Sequence, residues 1–361
     1  MLILLLIVLV LYGLLHLSPV QTWLVKKVAN NLSQKLHTRV TVKKVDFSFF
    51  NKLDLQGLYI EDLKKDTLLY AGSAKVDITD WFFLKEKISF NYIGLEDAVV
   101  NLERSDSTWN YQFLLDYFSS PGSSKGGGSN LQFNFKEAHF KNLYFRKADQ
   151  WVGQDMIVSL KSMDVGIREF DLIKKRISID EIDMDAPFFS QSNYSGKRPA
   201  SVSPAKTAMT IEAPTAYQWN NDGWVMELNK LTISHGRFQN EKETERAPYT
   251  DRFDGQHLLF TDISGTFHHV LFSKDTLSAD IRISTNERSG LQVKKLQASL
   301  KFTPEIMEFN HLDLITNKSH LKDYYAMRYN DFNEDMNNFI HSVVLEGHFK
   351  DSELNSDDLA I

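Results

Sequence analysis

Residues Arg39 to Asp62 decide the fold class, and they read RVTVKKVDFSFFNKLDLQGLYIED. Apolar residues recur at every second position along most of this stretch. A period of two places successive side chains on opposite faces of a β-strand. The phase of the alternation shifts at Lys43-Lys44 and at Gly57, where a bulge or a turn is predicted. The stretch therefore predicts consecutive strands that have one apolar and one polar face.

The same alternation continues along the rest of the chain. The sequence contains 25 Phe and 13 Tyr, residues that favour strands over helices. The alternating apolar positions are Val40, Val42, Phe47, Phe49, Leu53, Leu55, Leu58, Ile60, Ile88, Phe90, Val100, Leu102, Phe133, Phe135, Ile177, Ile179, Leu258, Phe260, Ile281 and Ile283. The predicted fold class is therefore mainly β.

The N-terminal residues predict a membrane anchor. They read MLILLLIVLVLYGLLHL, and no charged residue occurs before Lys26. This uncharged stretch exceeds the roughly 20 residues that span a bilayer, and it lacks the Ala-x-Ala pattern of a cleaved signal peptide. We predict an uncleaved transmembrane helix over residues 1–18. Its apolar side chains include Leu2, Leu5, Val8, Leu11, Leu14 and Leu17.

An amphipathic helix is predicted over residues 19–37. Ser18 is a good N-cap, and Pro19 suits the first helical position. Apolar residues then recur at intervals of three and four, with lysines and asparagines between them, which is the pattern of a helix with one buried face.

Two segments with the composition of linkers divide the chain. Residues 119–130 read SSPGSSKGGGSN, and residues 191–208 contain Gly196, Pro199 and Pro204 among Ser and Lys. Related tetrapeptides begin at Gly57, Asn142 and Lys230, at a spacing of roughly 85 to 90 residues. We therefore predict three repeats of several strands each, over residues 38–118, 131–190 and 209–361.

The stretch VVNLERSDSTWNY, from Val99 to Tyr111, crowds four polar residues into five positions. Ser105, Asp106 and Ser107 have the composition of a turn, and the aromatic residues after them resume an alternation of two. The pattern favours a hairpin over a catalytic site.

The sequence offers little catalytic chemistry. The absence of Cys excludes disulfides and thiolate catalysis, and the net charge of −6 argues against nucleic-acid binding. Adjacent residues such as His268 and His269 point to opposite faces of a strand and make a poor metal pair. Glu181, Asp183 and Asp185 share one strand face and leave an anchored glycan hydrolase as one alternative. No catalytic residue, metal or cofactor is predicted, and the chain is not expected to be an enzyme.

Several stretches together resemble the AsmA-like family, including its TamB-like members. They are the helix VQTWLVKKVANNLSQKL, the strands from Arg39 to Asp62, the segment VVNLERSDSTWNYQFLL and the C-terminal segment YAMRYNDFNEDMNNFIHSVVLEGHFKDSELNSDDLAI. The likeness lies in degenerate patterns along nearly the whole chain, and the family offers no catalytic residues to transfer.

The resemblance implies a single-pass anchor in the inner membrane of a Gram-negative cell, with the bulk of the chain in the periplasm. It implies an elongated antiparallel sheet curled into a groove, whose inner face would be lined by the alternating apolar residues. Such a groove would conduct phospholipids between the inner and outer membranes, with an outer-membrane barrel protein of the TamA type as partner. The alternative implied function is a scaffold for outer-membrane protein translocation and assembly that works with a barrel of the BamA/TamA type.

Overall fold

The computed structural model describes residues 18–48, 52–78, 90–119, 136–171, 174–199, 219–244, 246–337 and 339–360. Strands account for 62% and helices for 11% of the structure, so the predicted mainly-β class is confirmed. Among the described helices, none is long and apolar enough to cross a membrane. The predicted anchor lies outside the described residues, apart from Ser18.

The structure divides into two compact units, and the first comprises Met1–Asp164 and Ser195–Lys197. Its elements are α1 (Ser18–Leu36), β1 (Val40–Thr41), β2 (Lys44–Ser48), β3 (Lys52–Glu61), β4 (Thr67–Ile78), β5 (Phe90–Arg104), α2 (Gln112–Ser119), β6 (Glu137–Asp149) and the first part of β7 (Gln154–Asp171). The strand order is β1-β3-β4-β5-β6-β7, and β2 pairs with β3. β3, β4 and β5 pair antiparallel, whereas β5 and β6 are parallel.

The second unit comprises Val165–Tyr194 and Arg198–Ile361. After the end of β7 it contains β8 (Arg176–Asp185), β9 (Phe188–Asn193), β10 (Val225–Lys242), β11 (His257–Ser273), β12 (Thr276–Glu287), β13 (Gln292–Phe302), β14 (Ile306–Ile315), β15 (His320–Arg328), α3 (Phe332–Asn337), α4 (Phe339–Ser342), β16 (Val344–Phe349) and α5 (Ser356–Ala360). The strand order is β7-β8-β10-β11-β12-β13-β14-β15-β16. β10 is parallel to β8 and β9, and the pairs from β10 to β16 are antiparallel.

The division between the units falls inside β7, between Asp164 and Val165. The sequence placed its domain boundaries in the two linkers instead. Gln191 and Asn193, predicted as the start of the second linker, belong to β9 and pair with Asn240 and Lys242 of β10. The linker prediction is wrong there, because polar residues that suit a loop form a strand when β10 supplies their hydrogen-bonding partners. Residues 120–130 and 200–208 lie outside the described residues.

α1 packs on the first strands of its unit. Ala29 and Leu36 are buried against Val40, and Leu32, Ile60, Phe113, Leu114 and Tyr117 pack around them. The Thr22 hydroxyl accepts a hydrogen bond from Val45 N at 3.1 Å and donates one to Val45 O at 3.3 Å. Val45 has an exposed fraction of 0%. We call this helix-covered region the closed corner.

The predicted hairpin after Val99 is half wrong. β5 ends at Arg104 and a turn follows, in which Asp106 Oδ1 accepts a hydrogen bond from Thr108 N at 2.7 Å. The chain then forms α2 rather than a second strand. Phe113 and Tyr117 are one helical turn apart and contact the closed corner, so the apolar surface of α1 overrides the alternation of Trp109, Tyr111 and Phe113.

Candidate functional site

A row of irregular residues crosses the sheet of the first unit. Gly57, Asp97 and Asn142 have φ values of 64°, 51° and 50°. The strand registers align them with one another and with Gly72 of β4. The Asn142 side-chain amide donates a hydrogen bond to Asp97 Oδ1 at 2.8 Å. The irregularity that the sequence predicts at Gly57 is therefore one member of a row that spans four strands.

An extra residue in a strand inverts its alternation of faces, because the side-chain period is two. The apolar residues of each strand follow this inversion. In β3, for example, they have odd numbers before Gly57 and even numbers after it, as in Leu55 and Leu58. Four apolar rows therefore cross β3, β4, β5 and β6, two on each side of the irregular row. They are Leu53–Val76–Ile93–Ala138, Leu55–Ala74–Leu95–Phe140, Leu58–Ala71–Ala98–Leu143 and Ile60–Leu69–Val100–Phe145.

The large side chains in these rows are only half-buried. Ala71 and Ala98 have exposed fractions of 0%, whereas the Leu, Ile, Val and Phe members are all intermediate. In a two-layer fold such residues are covered by a second layer and become fully buried. Here α1 and α2 pack against the row that contains Ile60. The rows therefore form an apolar surface that the described residues cover only in part, which we call the first apolar face.

The opposite face of the same strands is polar. Asp54 accepts hydrogen bonds from Ser73 Oγ at 2.7 Å and from Gln56 Nε2 at 3.0 Å. Lys75 Nζ donates to Glu96 Oε1 at 2.6 Å, and this hydrogen bond raises the pKa of Lys75. Each strand thus separates water-facing charge from an apolar face.

The second unit has apolar rows of the same kind. The first row is Ile182–Leu231–Phe267–Ile281–Ala298, and the second is Met184–Ile233–Gly265–Ile283–Leu296–Leu314–Leu321. The third begins with Leu228–Val270 and continues with Ala279–Leu300–Phe309–Tyr325. The fourth is Met226–Phe272–Leu277–Phe302–Met307–Met327–Leu345. Members of the first three rows belong to one contact cluster around Ala279, Ile281, Ala298 and Leu312. We call this surface the second apolar face.

Left-handed residues also invert the alternation in the second unit. His269 and His311 have φ values of 51° and 53°. Phe267 and Val270, which flank His269, pack in the same cluster, although strict alternation would place them on opposite faces. The contacts therefore show directly that the apolar face continues across the irregular position.

The histidine at the first of these positions, His269, pairs with a carboxylate. His269 Nδ1 lies 3.0 Å from Asp280 Oδ2, and Ser299 Oγ donates to Asp280 Oδ1 at 2.8 Å. These two hydrogen bonds lower the pKa of Asp280. The rings of His268 and His269 are 6.2 Å apart. Within the described ranges, no group of three or more His, Asp or Glu side chains could hold a metal ion.

The three carboxylates considered for glycan hydrolysis lie on β8. Glu181 pairs with Lys230 of β10, and the hydrogen bond from Lys230 to Glu181 raises the pKa of that lysine. Asp185 Oδ1 lies 3.0 Å from His235 Nδ1, and Asp183 is exposed. Glu181 and Asp185 thus have different partners along the strand, which is the arrangement of a charged sheet surface.

The structure sorts the predicted groove-lining residues into three groups. Leu53, Leu55, Leu58, Ile60, Val100, Ile281 and Ile283 lie in the apolar rows, while Ile177 and Ile179 pair with Met226 and Leu228 of those rows. Leu102 follows Val100 on β5, and Phe260 lies beside Phe238 at a ring distance of 6.3 Å. Leu258 pairs with Asn240 on the same two strands as Phe260.

Val40 and Val42 form the second group, with exposed fractions of 4% and 6%. They are buried in and beside the closed corner, so their assignment to an open groove is wrong. The third group is not placed: Phe49, Ile88, Phe133 and Phe135 lie outside the described residues, as do Leu2, Leu5, Val8, Leu11, Leu14 and Leu17. Phe47 and Phe90 are described in their backbone only.

Sequence reasoning missed Asp97, Asn142, His269 and His311 as irregular strand residues. A signal for them exists in the spacing of apolar residues. Around each one, the spacing of successive apolar residues changes from two to three positions. Phe140 and Leu143, on either side of Asn142, are three positions apart. Gly, Asn, Asp and His are also the residues that most readily adopt positive φ.

Comparison with known proteins adds no family. No model of a known protein family matches the chain, and no curated protein matches it significantly.

Proposed function

We propose that the chain is anchored in the inner membrane of a Gram-negative cell and that its periplasmic apolar faces conduct phospholipids between the inner and outer membranes. The observation that carries the proposal is the set of half-buried apolar rows in each unit. The anchor and the location rest on the uncharged sequence before Lys26 and on the resemblance to AsmA-like proteins. An outer-membrane barrel of the TamA type is the proposed partner.

The energetics of lipid transfer suit such a surface. Each methylene group transferred from an apolar environment to water costs about 0.8 kcal/mol, so an acyl chain crossing water unaided meets a barrier above ~10 kcal/mol. Neighbouring strands lie about 4.8 Å apart. An acyl chain lying along an apolar row therefore contacts a new apolar side chain at each strand, and no covalent chemistry is required.

Photocrosslinking in cells tests this proposal. A photoreactive amino acid at Phe140 or Leu296 replaces a member of the first or second apolar face. The matched controls are Lys141 and Gln297, which are the next residues on the same strands and are exposed. We expect phospholipid adducts at Phe140 and Leu296 and few at the controls. Equal labelling at all four positions would contradict conduction along the apolar faces.

Charge substitutions test whether lipid contact matters for function. Phe140→Asp or Leu296→Asp places a carboxylate against passing acyl chains, and desolvating it costs several kcal/mol. We expect both variants to fail to restore outer-membrane integrity in a deletion strain while the folded protein accumulates. Lys141→Asp and Gln297→Asp should restore it. Gln297 pairs with Arg282 and with Asp313, so its new charge has one neighbour of each sign.

A scaffold for outer-membrane protein assembly is the second candidate function, and β16 favours it. In the described part of the chain β16 pairs only with β15, and its Val344 and Leu345 are 62% and 54% exposed. An unpaired strand edge can bind an incoming strand by main-chain hydrogen bonds. Leu345→Pro, which removes one donor, should then abolish function while Leu296→Asp leaves it intact. The opposite pattern supports conduction.

A further inference from the structure

Positive charge is concentrated near the N-terminal end of the chain. Residues 1–45 contain six Lys and Arg and no Asp or Glu, whereas the whole chain has a net charge of −6, which leaves −12 for residues 46–361. The six basic residues are Lys26, Lys27, Lys35, Arg39, Lys43 and Lys44, and all are exposed. A basic segment on an acidic protein indicates an anionic partner.

Among the described residues, no carboxylate pairs with the lysines of α1. Arg39 lies 3.8 Å from Glu61, and Lys44 lies 2.9 Å from Asp46. Within the described residues, Lys26, Lys27 and Lys35 form no ion pair. Their charges are therefore available to an external anion.

The outward surface of α1 also carries apolar side chains. Trp23 and Val28 are 60% and 67% exposed, and Lys27 Nζ lies 5.4 Å from the centre of the Trp23 ring. The buried face of the helix already packs in the closed corner through Ala29 and Leu36. Trp beside Lys is a combination enriched at membrane–water interfaces, where the ring is amphipathic and the lysine meets lipid phosphate.

We propose that the outward surface of α1, formed by Trp23, Lys26, Lys27, Val28 and Lys35, binds the anionic headgroup layer of a phospholipid bilayer. This inference goes beyond the proposed function, because headgroup binding does not require acyl chains to enter either apolar face. A bilayer fits better than a nucleic acid. It offers apolar depth for Trp23 and Val28, and a long polyanion would be repelled by the acidic remainder of the chain.

The absence of Cys from the sequence allows a clean measurement. Val28→Cys in the full chain carries an environment-sensitive dye, and vesicles of phosphatidylcholine with or without phosphatidylglycerol contain quencher-labelled lipid. We expect the quenching of the dye to rise with phosphatidylglycerol and to fall at high salt, which shortens the Debye length. Any membrane segment before Ser18 is present in every sample and contributes equally to all of them.

Neutralising the lysines tests their role. Each lysine near an anionic surface contributes about 1 kcal/mol, so in the triple variant Lys26→Gln, Lys27→Gln and Lys35→Gln the phosphatidylglycerol-dependent contact of α1 with the vesicle, read from the dye, should be about a hundredfold weaker. The matched triple variant Lys136→Gln, Lys141→Gln and Lys350→Gln removes three exposed lysines elsewhere and should bind normally.

Three results would overturn the inference. They are equal quenching with and without phosphatidylglycerol, equal loss of binding in the two triple variants, and a larger dye response to a short DNA duplex than to vesicles. Failure here leaves the crosslinking result at Phe140 and Leu296 untouched, so the two proposals can fail separately.

Discussion

The closed corner and the second apolar face are built from the same kinds of residues and differ in what covers them. In the closed corner, α1 buries Val40 to 4% and Val45 to 0% exposure. In the second apolar face, Leu296, Leu300 and Phe309 pack around four buried residues and stay only partly buried. In the second apolar face the neighbouring side chains bury Ile281 and Leu312 to 5% exposure, whereas a packed second layer is what buries the large side chains of a sheet as a set. Apolar composition therefore does not by itself identify a core.

The largest effect is expected in the closed corner. Val45→Asp places a carboxylate where there is no solvent, and we expect a loss of about 4 kcal/mol or more in the free energy of unfolding. Hydrogen–deuterium exchange of α1 measures it, and the helix should lose its protection. The neighbouring substitution Lys44→Gln, at an exposed residue, should change little. Retained protection in Val45→Asp would mean that α1 does not close this corner.

A similar charge in the second apolar face should cost far less. Leu296 is only partly buried, so in Leu296→Asp the carboxylate can reach water and the expected loss is about 1–2 kcal/mol. Urea denaturation compares it with Gln297→Asp, which should lie within about 0.5 kcal/mol of the unsubstituted chain. An unfolded Leu296→Asp protein would show that this face is a sealed core and would remove the contrast.

The irregular residues should respond to backbone preference rather than to burial. His311 is exposed and has a φ of 53°. His311→Val should destabilise the second unit by about 1–2 kcal/mol, because a β-branched residue is strained in the left-handed region. His311→Gly should be neutral or slightly stabilising in the same thermal melts. Equal effects of both substitutions would point to a lost side-chain contact instead.

The smallest expected effect is a pH dependence at one strand end of the second unit. Two hydrogen bonds from Arg246, at 2.7 and 2.8 Å, hold the pKa of Asp254 well below its usual range. A depressed carboxyl pKa gives stability that is present above the unfolded value of about 3.9 and is lost as the pH falls. Arg246→Gln should therefore be less stable at neutral pH, and its difference from the unsubstituted chain should narrow below about pH 4. A difference in stability that stays constant with pH would mean that Arg246 acts through packing rather than through the charge of Asp254.

Local pattern was sufficient for much of the fold. The alternation from Val40 to Ile60 predicts strands, and the structure has β1, β2 and β3 there. The three- and four-residue spacing after Pro19 predicts a helix, and α1 ends at Leu36. The phase shift at Gly57 predicts an irregularity, because glycine adopts positive φ without steric cost. Such features depend on a few neighbouring residues, so a single sequence contains them.

Features that depend on distant partners were not predictable in this way. α2 forms where the sequence alternates, because Phe113 and Tyr117 meet the apolar surface of α1. Gln191 and Asn193 form a strand because β10 supplies their hydrogen-bonding partners. Val40 has the pattern of a groove residue, and only the position of α1 shows that it is covered. The apolar rows can be drawn only when the register between neighbouring strands is known. The periodicity within one strand does not define that register.

The two parallel junctions have a consequence for the order of folding. β10 to β15 form a run of antiparallel neighbours joined mostly by short turns, so most of their contacts are local in sequence and can form quickly. β5 can pair with β6 only after the chain between Arg104 and Glu137 has returned, and β8 with β10 only after that between Asp185 and Val225. Closing such loops lowers the conformational entropy of the chain before the strand contacts that offset this cost have formed. We expect the antiparallel runs to gain protection from exchange first and the parallel junctions to form last, so unpaired edges of β5 and β8 are the surfaces most exposed to aggregation during synthesis.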